Sequence, residues 1–199
     1  MTVQMQANNA FDAQDIERLV QDHQVHRDVY TSQDVYALEM QHLFANVWVF
    51  VGHDSQTPKH GDYFTTQIGS QPVIQVRHSD GAIKVLHNRC PHKGTKIAID
   101  RHGNTGTFFR CPYHAWSFET DGRLKAVPLD SGYADTSFEA TENANGIKPV
   151  GAVRNYRGFI FVRLADSGIS FEDFFGDSLS SIDNMVDRSP EGRLEVAGP

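Results

Sequence analysis

The sequence predicts a mostly β protein with flanking helices, an α+β chain built on an antiparallel β-sandwich that carries two loops of metal-ligating residues. Three observations support this fold class. Short segments rich in β-branched and aromatic residues recur between residues 47 and 162. Turn signals such as Asp80-Gly81 separate them. Helical apolar patterns flank them on both sides. Many short strands with frequent turns are typical of a sandwich or small barrel.

The first 45 residues are predicted to be helical. Asp12 can cap a segment whose apolar residues recur at helical spacing, namely Ile16, Leu19 and Val20. A second helix is expected to start at Thr31-Ser32-Gln33-Asp34, because polar residues that can cap a helix precede another apolar series. That series consists of Val35, Leu38, Leu43 and Phe44.

The central region is predicted to contain eight strands. They are Val47–Val51, Tyr63–Ile68, Val73–Val76, Ile83–Leu86, Thr107–Phe109, Trp116–Phe118, Val150–Val153 and Phe159–Val162. Turns are expected at Gly69, Asp80-Gly81, Asp121-Gly122 and Arg157-Gly158. Residues 131–146 are polar and predict a long surface loop rather than part of a core.

The last segment is predicted to return to helix. Ser170-Phe171-Glu172-Asp173 resembles a capping box. The apolar face that follows consists of Phe174, Phe175, Leu179, Ile182 and Met185. The final residues from Arg193 to Pro199 are interpreted as a strand that is cut short. The chain is therefore divided into an N-terminal helical segment (1–45), a central β domain (46–165) and a C-terminal segment (166–199).

Composition excludes some classes of protein. The chain of 199 residues has a formal net charge of −7 and a pI near 5.7, which argues against a nucleic-acid partner. No apolar window reaches the length of about eighteen residues that a membrane-spanning helix needs. The polar start of the chain does not resemble a signal peptide, so we expect a cytoplasmic protein without a membrane partner.

The two cysteines of the chain each lie beside a histidine. Cys90 and His92 form a C-x-H pair, Cys111 and His114 form a C-x-x-H pair, and eighteen residues separate His92 from Cys111. Both pairs lie at the ends of predicted strands, where loops project from a rigid sheet. Two thiolates and two imidazoles are the mixed donor set of a two-iron cluster, with sulfur on one iron and nitrogen on the other.

Three other interpretations remain open for these four residues. A disulfide would require an oxidising compartment, for which the sequence contains no export signal. A structural zinc site uses the same Cys2His2 set, although zinc ligand pairs usually have two to four residues between them. Two buried cysteines could also lie beside surface histidines without any metal.

Longer motifs extend well beyond the four ligands. They are Trp48–His53, Pro58–Phe64, Pro72–Ile74, Asn88–Gly94, Cys111–Trp116 and Asp121–Leu124. Over residues 26–165, the chain resembles the Rieske family, and more narrowly the α subunit of the Rieske non-haem iron (ring-hydroxylating) oxygenases. The resemblance implies a Rieske-type β-sandwich with two cluster-binding loops. It also implies that residues 46–165 are the Rieske domain.

The resemblance implies a role for each residue near the [2Fe–2S] cluster. The ligands would be Cys90, His92, Cys111 and His114. Backbone N–H groups near His92, Lys93 and Tyr113 would bond the cluster sulfides, and Trp116 would shield the cluster. Lys93 departs from the arginine that is usual in the family, so a bidentate guanidinium contact would be lost.

The resemblance further implies the electron-transfer part of an aromatic-ring-hydroxylating oxygenase, either a dioxygenase or a monooxygenase. Electrons would come from a ferredoxin or flavin reductase and pass through His114 to a mononuclear Fe(II) in a neighbouring α subunit of a trimer. Some members also have β subunits. The catalytic iron is expected only in a catalytic domain that begins in residues 166–199 and is cut short. Catalytic residues and the aromatic substrate are not identifiable from this sequence.

Two alternatives to this function remain. A stand-alone Rieske ferredoxin would have the same cluster, although such carriers are little more than the sandwich, without these helices. A zinc-binding interaction module would use the same four donors. The high-potential Rieske proteins have an extra cysteine in each loop and a serine two residues after the second histidine. This chain has Trp116 there, so we expect a potential at the low end of the Rieske range of about −150 to +300 mV.

Overall fold

The computed structural model describes residues 13–138 and 145–197. The predicted helix cap at Asp12, part of the loop predicted over residues 131–146, and residues 198–199 lie outside this range. The described residues form antiparallel β-sheets with short helices at both ends of the chain, which confirms the predicted fold class.

Over residues 13–43, the N-terminal segment is helical, as predicted, except for one short hairpin. Helix α1 (Ala13–Leu19) is followed by strands β1 (Val20–Gln21) and β2 (Gln24–Val25) and by helices α2 (Asp28–Thr31) and α3 (Gln33–Leu38). A π-helical turn (Glu39–Leu43) ends the segment. The predicted helix start is confirmed, because the Ser32 hydroxyl accepts a hydrogen bond from the Val35 N–H at 3.4 Å. The hairpin was not predicted, and its two valines are exposed.

Ten further strands form the body of the fold. They are β3 (Val49–His53), β4 (Asp62–Ile68), β5 (Gln71–Arg77), β6 (Ile83–His87), β7 (His102–Asn104), β8 (Phe108–Arg110), β9 (Ser117–Glu119), β10 (Leu124–Ala126), β11 (Ala152–Tyr156) and β12 (Phe159–Arg163). All eight predicted strands are present, with ends shifted by at most three residues. Sequence analysis missed β7 and β10, because these two short strands lack the aromatic and β-branched residues that indicate a strand.

Three antiparallel sheets are stacked around strand β5. The central sheet has the order β6-β5-β4-β7, and the two others have the orders β11-β12-β3 and β10-β9-β8. Alternate residues of β5 point to opposite faces of the central sheet. On one face, Val73 packs against Ile160 and Val162 of the β11-β12-β3 sheet. Ile74 packs on the other face with Phe118, so β5 is buried on both sides and supports the two ligand loops.

The C-terminal helix is broken, which changes the face that it buries. Helix α4 (Phe171–Phe175) starts at Ser170, whose hydroxyl accepts a hydrogen bond from the Asp173 N–H, as predicted. A turn at Gly176, with φ of 48°, separates α4 from helix α5 (Leu179–Asp187) and shifts the helical phase. The predicted face is therefore wrong at two positions. Phe174 and Met185 are exposed, and Phe171 and Val186 are buried.

The predicted strand from Arg193 to Pro199 is also wrong over the part that the structure describes, residues 193–197. These residues have no regular secondary structure. The Val196 N–H donates to the Ser55 hydroxyl at 3.0 Å, so a side chain takes the place of a neighbouring strand. In the described part of the chain, no helix is both long and apolar enough to cross a membrane.

The two Asp-Gly turns provide a matched test of backbone crowding. Gly81 and Gly122 both have positive φ, at 82° and 96°. A Cβ on Gly81 would meet nothing within 4 Å, whereas a Cβ on Gly122 would lie 2.5 Å from the Ile147 carbonyl oxygen. Gly81→Ala is expected to lower the free energy of unfolding by about 1 kcal/mol, and Gly122→Ala by about 3 kcal/mol. Urea unfolding of both variants measures the difference, and equal losses would contradict it.

The acid stability of the fold is expected to depend on His53. This side chain is buried, and its Nε2 atom has no hydrogen-bond partner among the described residues. Burial lowers the pKa of His53 below 6.5, against the opposing effects of Asp54 and Glu195. The folded state therefore favours the neutral ring. The neutral His53 ring contributes fully to the stability of the fold above pH 6.5. This contribution is lost as the pH falls through the lower pKa that His53 has in the folded state.

In the His53→Asn variant, the free energy of unfolding is therefore expected to decrease less below pH 6.5 than in the wild type. Urea unfolding at several pH values measures this difference. The exposed His60→Asn is the control and should keep the wild-type slope. The expectation fails if the His53 variant has that slope too.

Candidate metal centre

The first ligand loop follows β6 and is organised by Asn88. This side chain is only 3% exposed. Its amide donates to the Ala98 carbonyl at 2.7 Å, and its oxygen accepts the N–H groups of Ile97 (2.8 Å) and Ala98 (3.0 Å). The loop from Cys90 closes within this frame, because the Cys90 N–H donates to the Thr95 carbonyl at 2.8 Å. The frame fixes the backbone that carries Cys90 and His92.

The second ligand loop is a tight turn between β8 and β9. The Cys111 N–H donates to the Trp116 carbonyl at 2.8 Å, and the Ala115 N–H donates to the Cys111 carbonyl at 3.0 Å. Ala115 reaches this geometry with φ of 59°, a left-handed conformation that an alanine rarely adopts. The turn places Cys111 at its inner end and His114 at its tip.

The structure brings all four predicted ligands to the same place. The Cys90 and Cys111 thiols are free, buried and in mutual contact, with exposures of 2% and 3%. The rings of His92 and His114 lie further out, with centroids 4.7 Å apart. His92 is half-buried, and His114 is exposed. The donors therefore form an inner sulfur pair and an outer nitrogen pair. Among the described residues, no three His, Cys, Asp or Glu side chains form a group around a single ion.

The surroundings of Cys90 contain donors suited to a negatively charged sulfur. Burial raises the pKa of the Cys90 thiol, and the adjacent Cys111 thiol raises it further. Backbone N–H groups of His92 and Lys93 donate to the sulfur and lower that pKa. Such N–H groups stabilise thiolate or sulfide, so the residues present fit an iron–sulfur group. Lys93 thus contributes through its backbone, while its side chain is exposed.

Trp116 supports the nitrogen pair from below. Its ring is 5% exposed and stacks on His92, with centroids 4.7 Å apart and planes only 4° from parallel. Tyr133 and Phe138 pack against Trp116 at centroid distances of 6.4 and 5.2 Å. This corrects the prediction that residues 131–146 are only a surface loop, because within the described residues up to 138 two aromatic side chains cover the core. Tyr113 is 63% exposed, and its ring lies 3.7 Å from that of His114.

A comparison with protein families decides the type of centre. The profile of the Rieske [2Fe–2S] domain matches residues 47–143, which include both ligand loops. Residues 47–143 are therefore a Rieske [2Fe–2S] domain, in a chain that is similar to the α subunits of ring-hydroxylating dioxygenases. The sandwich that supports the two loops is thus a Rieske-type sandwich, as the resemblance implied.

Relatives of this Rieske chain are oxygenase subunits. It is 39% identical to the toluate 1,2-dioxygenase α subunit of Pseudomonas putida, over 85% of this chain and 37% of that subunit. It is 40% identical to the glycine betaine monooxygenase oxygenase subunit of Chromohalobacter salexigens, over 88% of this chain and 37% of that protein. The chain spans less than half the length of these relatives.

A solved structure has the same fold. Naphthalene 1,2-dioxygenase from Rhodococcus sp., bound to indole, superposes with a TM-score of 0.81 and 31% identity, over 93% of this chain and 40% of that one. The match includes the sandwich and extends beyond the 97 residues of the family profile.

Sequence analysis did not identify three residues that support the Rieske site. Asn88 lies within a quoted motif, but its contacts reach ten residues along the chain and cannot be read from spacing. Tyr133 and Phe138 lie in a polar stretch, where two isolated aromatic residues were the only available signal.

Proposed function

We propose that Cys90 and Cys111 hold one iron of a [2Fe–2S] cluster, that His92 and His114 hold the other, and that the domain transfers single electrons. The observation that carries the proposal is the division of the four donors into a buried sulfur pair and an outer imidazole pair. When bound, the cluster supplies a one-electron couple that mixed sulfur and nitrogen ligation sets above that of an all-cysteine cluster.

The residues around this site have separate roles. The thiols are kept from water by the core that surrounds Phe109 and Phe118. The exposed ring of His114 provides the outer edge of the site, where an electron can leave for a partner. Trp116 holds the ring of His92 in place by stacking, and Asn88 holds the loop. Tyr113 covers one face of the His114 ring.

The whole protein is proposed to be a Rieske non-haem iron oxygenase. Support comes from the relatives, whose names include a toluate dioxygenase, a glycine betaine monooxygenase and a naphthalene dioxygenase. In this proposal, a ferredoxin or flavin reductase reduces the domain, other α subunits receive the electron, and an aromatic compound is the substrate. A mononuclear iron would belong to a catalytic domain, and a cytoplasmic location fits the two free thiols.

Spectroscopy of the purified protein tests the centre. Two irons and two acid-labile sulfides per chain are expected, together with an electron paramagnetic resonance signal of low average g value after reduction with dithionite. A colourless protein that contains zinc, or one that cannot be reconstituted with iron and sulfide, would refute the proposal.

The reduction potential is expected to be below zero. High-potential members of the class have hydroxyl groups that bond the cluster ligands, and such hydrogen bonds are one determinant of the potential. In this chain Trp116 occupies that position, and the adjacent Ser117 hydroxyl donates to the Ala115 carbonyl at 3.3 Å. Potentiometric titration monitored by circular dichroism is expected to give a value nearer the lower limit of about −150 mV than the upper limit of about +300 mV. A value well above zero would contradict this.

A further inference from the structure

A cavity of about 610 Å³ opens beside the first ligand loop. Two of the proposed ligands, Cys90 and His92, form part of its wall. The rest of the wall contains Gln71, His87 and Gly146 and the cations Arg89, Lys93 and Lys148, and no aspartate or glutamate of the described chain lines it. Arg89, Lys93 and Lys148 therefore make the wall of the cavity positively charged beside the cluster site.

In the part of the chain that the structure describes, the cations of this cavity form no ion pair. These cations are Arg89, Lys93 and Lys148. Cations at other places in the chain form ion pairs. Lys125 pairs with Glu119 at 2.6 Å, and Arg123 pairs with Asp121 at 2.7 Å. The contrast is pronounced because the chain as a whole has a net charge of −7.

The backbone holds Lys148 at the edge of this cavity. The Lys148 carbonyl accepts the His87 N–H at 2.9 Å, which ties the segment before β11 to the end of β6. The Lys148 side chain is exposed. Arg89 lies across the loop, with its guanidinium 3.3 to 3.7 Å from the position that a Cβ on Gly94 would occupy. Charges are thus presented by two segments that are distant in sequence.

We propose that this basic cavity is the docking surface for an acidic electron-donor protein. The inference rests on the proposed function, because a donor is needed only if the domain carries the cluster. An acidic partner would be repelled by the net charge of the chain, and unpaired cations at one place direct its approach to that place. The reduced donor then loses one electron and is oxidised, and the centre of this chain gains that electron and is reduced.

Charge reversal at Lys148 tests the proposal without touching a proposed ligand. Lys148→Glu changes the charge at the cavity, and the backbone carbonyl that accepts from His87 is retained. Lys59→Glu is the matched control, because Lys59 is exposed, forms no ion pair in the described chain and precedes β4. The register pairs Tyr63 with Val76 and Ile68 with Gln71, so Lys59 lies at the opposite end of the β4–β5 pair from the cavity.

The probe is an acidic plant-type [2Fe–2S] ferredoxin, used with the iron–sulfur-loaded chain. Binding of its redox-inert gallium form is measured by fluorescence anisotropy, and electron transfer from its photoreduced iron form is measured by stopped flow. At about 20 mM ionic strength, Lys148→Glu is expected to lower the affinity and the bimolecular rate constant about fivefold, and by less than about twofold at roughly 0.5 M salt. Lys59→Glu is expected to change either by less than about twofold.

Reduction by dithionite separates the possible failures. If dithionite reduces the centre in both variants, but the two lysine changes have equal effects on binding and electron transfer, the docking surface is refuted and the proposed function stands. If dithionite reduces no centre in the wild-type chain, the proposed function and the docking surface are both refuted.

Discussion

Replacing Cys111 with serine is expected to abolish the cluster while leaving most of the fold intact. Two thiolates hold one iron of the proposed cluster, and serine does not supply a comparable alkoxide near neutral pH. The hydrogen bond from the residue-111 N–H to the Trp116 carbonyl uses only backbone atoms, so the loop can close without the sulfur. The iron and acid-labile sulfide content is expected to fall below about 10% of the wild-type value.

Chemical analysis of iron and sulfide and the visible spectrum measure this loss, and far-ultraviolet circular dichroism reports whether the sheets persist. Arg110→Gln is the matched control, because Arg110 directly precedes Cys111 and is exposed. It is expected to retain full cluster content. A Cys111→Ser protein with two irons and two sulfides per chain would show that Cys111 is not a ligand.

Replacing Asn88 with alanine is expected to produce the largest loss of stability around the site. The substitution removes three hydrogen bonds and leaves the N–H groups of Ile97 and Ala98 and the Ala98 carbonyl without a partner in a buried environment. Each unsatisfied buried group costs about 1–3 kcal/mol, so a loss of about 3–5 kcal/mol in the free energy of unfolding is expected.

Asn104→Ala is an unusually close control. The Asn104 side chain also makes three hydrogen bonds, to the His60 carbonyl, to the Asp62 carboxylate and from the Gly106 N–H. It is exposed, however, so water can replace the lost partners, and a loss of about 1 kcal/mol or less is expected. Urea unfolding of both variants gives the comparison. Equal losses would show that Asn88 does not organise the loop.

The Asn88 variant is also expected to release its cluster faster than the wild type, because the backbone that carries Cys90 and His92 loses its frame. The decay of visible absorbance in the presence of a chelator measures this rate. A rate equal to that of Asn104→Ala would confine the role of Asn88 to stability.

Much of the fold could be predicted because its signals are local. The strand segments around Val73 and Phe159 are dense in β-branched and aromatic residues, and the turn at Asp80-Gly81 connects paired strands, as expected. Predictions failed where a distant contact outweighed the local pattern. The helical face after Ser170 is interrupted at Gly176, and the segment from Arg193 bonds to Ser55, which is far away in sequence.

The sequence by itself determined the donor set of the proposed centre: two thiols and two imidazoles at C-x-H and C-x-x-H spacing, on loops between short strands. Donor type and spacing are properties of residues that are neighbours along the chain. Only the tertiary structure decided that the thiols lie inside and the His114 ring outside, and that Trp116 lies beneath His92. It alone also joined Arg89 and Lys148 in one basic cavity. Burial and charge clustering depend on which distant segments pack together, and a linear pattern does not contain that information.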